Sequence, residues 1–116
     1  MVASDLQELM LEKGLTLSLA ESCTGGMISS SITDRPGSSA YFIGSAITYS
    51  NQSKISILGV RPETISEFGA VSRETSVEMA LGASRIFDTD ISASVTGIAG
   101  PDGGSVSKPI GTVWMT

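Results

Sequence analysis

The candidate catalytic base in this sequence is a lysine, because the chain contains no histidine. A lysine whose pKa is lowered by burial can replace histidine as the base for a serine nucleophile. Lys54 follows a serine-rich, strand-like segment and lies near a predicted helix start, where the helix dipole also disfavours its charged form. Lys13 lies at a solvent-facing helix end and Lys108 in a loop. Lys54 is therefore the best candidate base, although most lysines are ordinary surface residues.

Five residues are candidate nucleophiles: Ser22, Cys23, Thr24, Ser38 and Ser39. Ser38 and Ser39 follow a Pro-Gly turn, where a serine is more often a helix cap or a packing residue. Cys23 lies in a glycine turn but has no histidine partner, and it can equally be a small buried residue. The residue types alone leave the choice open.

Two glycine-rich turns follow predicted strands: "ESCTGG" at residues 21–26 and "GIAGPDGG" at residues 97–104. Glycines let backbone N–H groups converge on an anion, and the helix that follows the first turn adds a partial positive charge. Neither turn matches a P-loop or the dinucleotide motif G-x-G-x-x-G. Each turn can hold a phosphate or an oxyanion, or can be a tight packing turn. Tyr49 and Asn51 flank Lys54 and either orient a substrate or finish a strand.

Composition and charge exclude several classes of function. The 116 residues, 41% of them hydrophobic, suit one compact soluble domain. The net charge of -5 and the scattered Lys and Arg residues argue against nucleic-acid binding. One cysteine and no histidine argue against a disulfide or a metal site, and we expect no cofactor. The N-terminus resembles no signal peptide and no long apolar span follows, so we predict a cytoplasmic protein without a membrane partner.

Hydrophobic periodicity and turn residues predict alternating helices and strands, which favour an α/β or α+β layered domain. The predicted helices cover residues 4–13, 27–33, 51–58 with Asn51 as cap, 61–69 and 72–87, and the predicted strands cover residues 15–20, 42–50, 91–97 and 111–116. The helix over 72–87 is the longest. We expect it to bury its apolar residues and to turn its charged ones outward. The apolar residues are Val77, Ala80, Leu81 and Ile86. The charged residues are Glu74, Glu78 and Arg85.

Four motifs together resemble the CinA C-terminal domain family, the nicotinamide-nucleotide amidohydrolases or NMN deamidases. They are "AESCTGG", "GSSAYF…TYSNQSK", "GAVSRETSVEMA" and "SVTGIAGPDGGSVSKPIGTVW", in the family's order and spacing. The resemblance implies a three-layer α/β/α-like fold with a mixed sheet, in a single domain over residues 1–116. Family members continue past the "GTVW" strand, so it also implies a domain that lacks its last strand, its last helices and a basic residue that assists catalysis.

The resemblance further implies hydrolysis of the carboxamide of nicotinamide mononucleotide to nicotinic acid mononucleotide and ammonia. On the family's motifs the catalytic serine and lysine fall on Ser39 and Lys54. The remaining residues implied to bind substrate or phosphate are Ser22, Thr24, Gly25, Gly26, Tyr49, Asn51, Gly97, Gly100, Gly103 and Gly104. An open apolar edge beside Val113 and Trp114 predicts a homo-oligomer. The alternative function is a catalytically inactive, shortened relative that serves as a nucleotide-binding or assembly module.

Overall fold

Helices and strands alternate along the chain in the computed structural model, which describes residues 2–116. The helices are α1 (Val2–Lys13), α2 (Met27–Thr33), α3 (Asn51–Leu58), α4 (Pro62–Phe68) and α5 (Arg73–Phe87), and the strands are β1 (Leu17–Glu21), β2 (Phe42–Ile47), β3 (Ile91–Gly97) and β4 (Val113–Met115). A short 3-10 turn, Ser38–Ala40, precedes β2. The predicted bounds of α2, α3 and β3 are confirmed.

The four strands form one mixed sheet in the order β2-β1-β3-β4. β1 is parallel to both β2 and β3, whereas β4 runs antiparallel to β3 at the edge. Parallel strands end at the same side of a sheet, and ligand sites of such sheets lie beyond those carboxyl ends. The segments that follow β1, β2 and β3 are therefore brought together.

Strand β1 is buried on both faces, so helices cover both sides of the sheet. One apolar cluster packs α1 and α2 against the sheet and contains Met10, Leu17, Leu19, Ile32 and Tyr41. A second cluster packs α3 and α5 against the opposite face and contains Ala20, Leu58, Val60, Met79 and Ala83. This arrangement confirms the predicted three-layer α/β/α class with a mixed sheet.

The buried face of α5 differs from the predicted one. Leu81 is 63% exposed and Ile86 is also exposed, while Val77 is only half-buried. The residues that α5 buries are mostly small or polar: Thr75, Ser76, Met79, Ala80, Gly82 and Ala83. Glu78, expected to face outward, is half-buried and accepts hydrogen bonds from the Arg61 N–H and the Thr64 hydroxyl. The prediction is confirmed for Ala80, which is buried, and for Arg85, which is exposed. It was wrong for Leu81, Ile86 and Glu78, because small residues, and not large apolar ones, let α5 approach the sheet closely.

Three hydroxyls on one face of β3 anchor α5 and the segment before it. Ser92 donates to the carbonyl of Ala80 at 2.7 Å, and Ser94 donates to the carbonyl of Ser76 at 2.6 Å. Thr96 donates to the carbonyl of Ala70 at 2.9 Å. Each hydroxyl is satisfied by its bond, so the polar face of β3 costs little on burial.

Serine side chains cap two of the helices on the α5 side of the sheet, α3 and α5. Ser50 accepts a hydrogen bond from the N–H of Ser53 at the start of α3, so Ser50, and not Asn51, is the cap. Ser72 accepts one from the N–H of Thr75 at the start of α5. A serine cap stabilises a helix by about 1 kcal/mol relative to alanine. The cap on α3 fixes the helix that carries Lys54.

Candidate active site

A pocket of about 250 Å³ lies beyond the carboxyl ends of the three parallel strands. Residues that follow β1 line it, Ser22 and Cys23 among them. Tyr49 and Lys54 line it from the segment after β2, and the loop after β3 closes another side. The pocket therefore joins the two glycine-rich turns and the candidate base.

Lys54 is almost completely buried, with 1% of its surface exposed. Its Nζ lies 2.8 Å from the carbonyl oxygen of Thr48 and 3.0 Å from that of Tyr49. The third partner of Nζ is the Oγ of Ser22, at 2.8 Å. The two carbonyls fix the position of Nζ beside the Ser22 hydroxyl.

Burial lowers the pKa of Lys54 below its usual value, because the charged ammonium loses its hydration, and the neighbouring Cys23 opposes that shift only in part. A neutral lysine has two N–H donors and one lone pair. The carbonyls of Thr48 and Tyr49 accept both donors, which leaves the lone pair for the Ser22 hydroxyl. Neutral Lys54 can then accept the Ser22 proton.

Ser22 is the first residue after β1, and the main chain holds it in place. Its N–H donates to the carbonyl of Val95 in β3 at 3.0 Å. Its side chain is buried, with 5% of the residue exposed, and it lines the pocket. The buried hydroxyl is thus open to the pocket and in contact with a base.

The structure does not bring Ser39 and Lys54 together. Ser39 is exposed in the turn before β2, whereas Nζ of Lys54 is bound to the carbonyls that follow β2. The six residues of β2 span about 20 Å between these two positions. Ser38, its neighbour, is buried in the same turn. Lys54 cannot reach Ser39, and the serine that Lys54 contacts is Ser22.

The first glycine turn binds the side-chain carboxylate of Glu21. The carboxylate of Glu21 accepts hydrogen bonds from the N–H of Gly26 and from the hydroxyl of Thr24. Gly25 turns the chain with a positive φ of 60°, and Gly26 has a φ of 104°. Thr24, Gly25 and Gly26 do not line the pocket. These three residues, which were expected to bind substrate or phosphate, lie outside the lining of this pocket.

The second glycine turn contributes directly to the pocket. Gly97, Gly100 and Gly103 line it, whereas Gly104 lies in a separate hollow beside Ile110. A Cβ on Gly97 would lie 2.8 Å from the carbonyl oxygen of Thr112 and 3.1 Å from Sγ of Cys23. Only glycine at position 97 lets β3, the start of β4 and the first glycine turn approach so closely.

Tyr49 and Asn51 have different positions. Tyr49 lines the pocket with an exposed side chain, and its carbonyl accepts a hydrogen bond from Lys54. Asn51 is the exposed first residue of α3 and does not line the pocket. Of the two, Tyr49 is the one placed to touch a ligand.

The pocket has few charges. Within the described range, Lys54 is its only basic lining residue and Asp102 its only acidic one. Residues 2–116 contain no group of three or more His, Cys, Asp or Glu side chains that could hold a metal ion. None of the helices in the same range is long and apolar enough to cross a bilayer. The groups that the pocket offers for chemistry are the Ser22 hydroxyl, the free thiol of Cys23, the Lys54 amine and backbone N–H groups.

The site thus combines a buried lysine in contact with a serine with a position at the carboxyl ends of parallel strands in an α/β domain. The family model of the CinA C-terminal domain matches residues 1–116. The chain belongs to this family.

This chain is similar in sequence to curated relatives and in structure to solved proteins. A CinA-like protein of Fervidobacterium nodosum is 58% identical over 106 residues, which cover 91% of this chain and 26% of the relative. The nicotinamide-nucleotide amidohydrolase PncC of Shewanella oneidensis is 54% identical over 112 residues, which cover 97% of this chain and 26% of the relative. A CinA superfamily structure from Escherichia coli aligns with a TM-score of 0.94 at 35% identity, covering 97% of this chain and 66% of that one. This chain thus spans about a quarter of the length of these curated relatives.

Proposed function

We propose that this chain hydrolyses the carboxamide of nicotinamide mononucleotide, with Ser22 as nucleophile and Lys54 as base. The observation that carries the proposal is the 2.8 Å contact between Nζ of Lys54 and Oγ of Ser22 in the pocket. The substrate is taken from the Shewanella relative, whose name is that of a nicotinamide-nucleotide amidohydrolase.

The reaction proceeds in two acyl-transfer steps. Neutral Lys54 takes the proton of the Ser22 hydroxyl, and Oγ attacks the amide carbon to form a tetrahedral intermediate. The protonated Lys54 then gives that proton to the leaving nitrogen, so the C–N bond breaks and ammonia departs. A water molecule, deprotonated by Lys54, attacks the resulting ester of Ser22. The C–O bond to Ser22 breaks, Oγ recovers a proton, and the carboxylic acid is released.

Backbone donors beside Ser22 can stabilise the negative oxygen of the intermediate. Cys23 lines the pocket, and its N–H forms no hydrogen bond with any residue from 2 to 116. An N–H in the residue after a nucleophile is a suitable oxyanion donor, and each such donor is worth about 10²- to 10³-fold in kcat. We assign the Cys23 N–H to this role.

The activity should rise with pH, because only the neutral form of Lys54 can accept the proton. We expect log kcat/KM to increase with a slope of one and then to level off at the pKa of Lys54. Burial lowers the pKa of this lysine, so the midpoint should lie below the ordinary value of 10.5. A pH profile of ammonia release measures the midpoint. A profile that is flat with pH, or one that is still rising at pH 10.5, would count against Lys54 as the base.

Ammonia release from nicotinamide mononucleotide tests the proposal, and Ser39→Ala separates the two candidate serines. We expect Ser39→Ala to retain the activity of the unmodified chain, since Ser39 lies at the far end of β2. Loss of activity in Ser39→Ala, with Ser22→Ala still active, would restore the assignment implied by the family motifs.

The binding-module function is favoured by one observation, the lining of the pocket by the second glycine turn. Gly97, Gly100 and Gly103 line the pocket, where backbone N–H groups can bind a phosphate whether or not hydrolysis follows. A folded chain that binds nicotinamide mononucleotide in calorimetry and releases no ammonia would support this function over hydrolysis.

We also propose that the chain forms a homo-oligomer. The side chains of Val113, Trp114 and Met115 on the edge strand β4 are exposed, as an interface would require. Light scattering that gives the mass of a monomer at micromolar concentration would contradict it.

A further inference from the structure

We infer that Glu21 is the positioning residue of this site: its carboxylate holds the turn that carries Ser22, and its backbone holds the segment that carries the partners of Lys54. The inference rests on the proposed role of Ser22 as nucleophile. It assigns a role to a buried acid that the chemistry of the pocket does not use.

The Glu21 side chain is fully buried, with 0% of the residue exposed, and it accepts five hydrogen bonds of 2.5 to 3.1 Å. One carboxylate oxygen accepts from the Thr24 hydroxyl and from the N–H groups of Gly26 and Ile28. The other accepts from both the N–H and the hydroxyl of Ser29. These donors extend from the nucleophile turn into the first turn of α2. The conformation of the chain just after Ser22 is thereby tied to one carboxylate.

The main chain of Glu21 is tied to the other half of the site. Its carbonyl accepts a hydrogen bond from the N–H of Thr48 at 2.8 Å. The carbonyl of Thr48 in turn accepts from Nζ of Lys54 at 2.8 Å. Glu21 thus connects the Ser22 turn, through its side chain, with the anchor of Lys54, through its backbone. A shift of Glu21 would change the distance between Oγ of Ser22 and Nζ of Lys54.

The carboxylate of Glu21 remains ionised in its buried position. Burial by itself would raise the pKa of Glu21, but hydrogen bonds from the side chains of Ser29 and Thr24 and from backbone N–H groups outweigh burial and hold the pKa below its ordinary value. An ionised acceptor makes stronger hydrogen bonds than a neutral one. The negative charge of Glu21 therefore strengthens the hydrogen bonds that hold the turn.

Glu21 does not act by changing the charge state of the base. The Glu21 carboxylate faces its donors in the turn and in α2, and neither Glu21 nor these donors line the pocket that contains Lys54. Burial lowers the pKa of Lys54, and the neighbouring Cys23 opposes that shift. Replacing Glu21 should consequently lower the rate without moving the pH midpoint. A purely structural residue would lower stability and leave the rate per folded molecule unchanged.

Glu21→Gln tests the inference, because it keeps the shape of the side chain and replaces one acceptor oxygen with an NH₂ donor. The readout is covalent modification of Ser22 by phenylmethanesulfonyl fluoride in the full 116-residue chain. We expect Glu21→Gln to slow this modification by about 10- to 100-fold, the effect of a displacement of about 1 Å. The midpoint of its pH dependence should match that of the unmodified chain. Glu12→Gln, the same change at an exposed position of α1, is the control and should react normally.

Several outcomes would overturn the inference. Modification of folded Glu21→Gln at the normal rate would by itself overturn the inference. A shifted pH midpoint would also overturn it, because Glu21 would then act through the charge of Lys54. If Glu21→Gln does not fold, Thr24→Val removes a single donor to the carboxylate, and a normal rate in that variant has the same meaning. Failure of the reagent to modify Ser22 in the unmodified chain would refute both this inference and the proposed nucleophile. Modified Ser22 without ammonia release would refute only the proposed substrate, and the comparison of variants would still decide the role of Glu21.

Discussion

Ammonia release from nicotinamide mononucleotide is expected to fall by about 10⁴-fold or more in Ser22→Ala and by about 10²- to 10⁴-fold in Lys54→Met. Ser22→Ala removes the attacking oxygen, so no acyl intermediate can form. Lys54→Met keeps the apolar stem of the side chain and removes the group that accepts the proton. Because the two residues act as one unit, the double variant should be no slower than Ser22→Ala alone. Initial rates at saturating substrate measure all three.

Lys108→Met is the matched control for the lysine variant. Lys108 lies in the loop after β3 and donates to the carbonyl of Phe68, outside the lining of the pocket. We expect this variant to keep the rate of the unmodified chain. Circular dichroism must show that Lys54→Met is folded, since it leaves the carbonyls of Thr48 and Tyr49 without their partner. A folded Lys54→Met with normal activity would refute the lysine mechanism.

The largest loss of stability is expected for Gly82→Ala in the middle of α5. A Cβ at this position would lie 2.1 Å from the carbonyl oxygen of Leu58, at the end of α3. That oxygen also accepts a hydrogen bond from Arg85, so relaxation would disturb a second contact. We expect the free energy of unfolding to fall by about 3 kcal/mol, as for an overpacked site. Urea unfolding of the two proteins measures the difference.

Leu81→Ala provides the comparison at the neighbouring position of α5. Leu81 is largely exposed, so its replacement by alanine should change the free energy of unfolding by no more than about 0.5 kcal/mol. Helix propensity alone would stabilise Gly82→Ala by about 1 kcal/mol, so an unchanged or raised stability of this variant would refute the predicted clash with the Leu58 carbonyl.

The elements of this fold were predictable from local signals where those signals are strong. Glycines and serines mark most helix ends, and Gly59 and Gly69 follow the helices α3 and α4. The face of α5 was not predictable from its own sequence. The side of a helix that is buried depends on the surface beneath it, and here that surface carries the hydroxyls of Ser92 and Ser94.

The site was predictable in part. Elimination identified Lys54, because the chain has no histidine and only two other lysines. The family motif placed the nucleophile on Ser39, and a motif does not say which end of a strand a residue occupies. Ser22 follows β1 and Lys54 follows β2, so the parallel pairing brings them together, whereas Ser39 precedes β2. The role of Glu21 was missed because an acid beside a glycine turn gives no sign of being buried.

The hydroxyl anchors between β3 and α5 determine more than the separation of these two elements. Ser92 and Ser94 lie two residues apart on a strand, a distance of about 6.6 Å. Their acceptors, the carbonyls of Ala80 and Ser76, lie four residues apart on a helix, a distance of about 6.0 Å. The two spacings agree, so both bonds form together at only one longitudinal alignment of the helix on the strand. Apolar contacts alone would tolerate slippage by a turn, and these directional bonds forbid it.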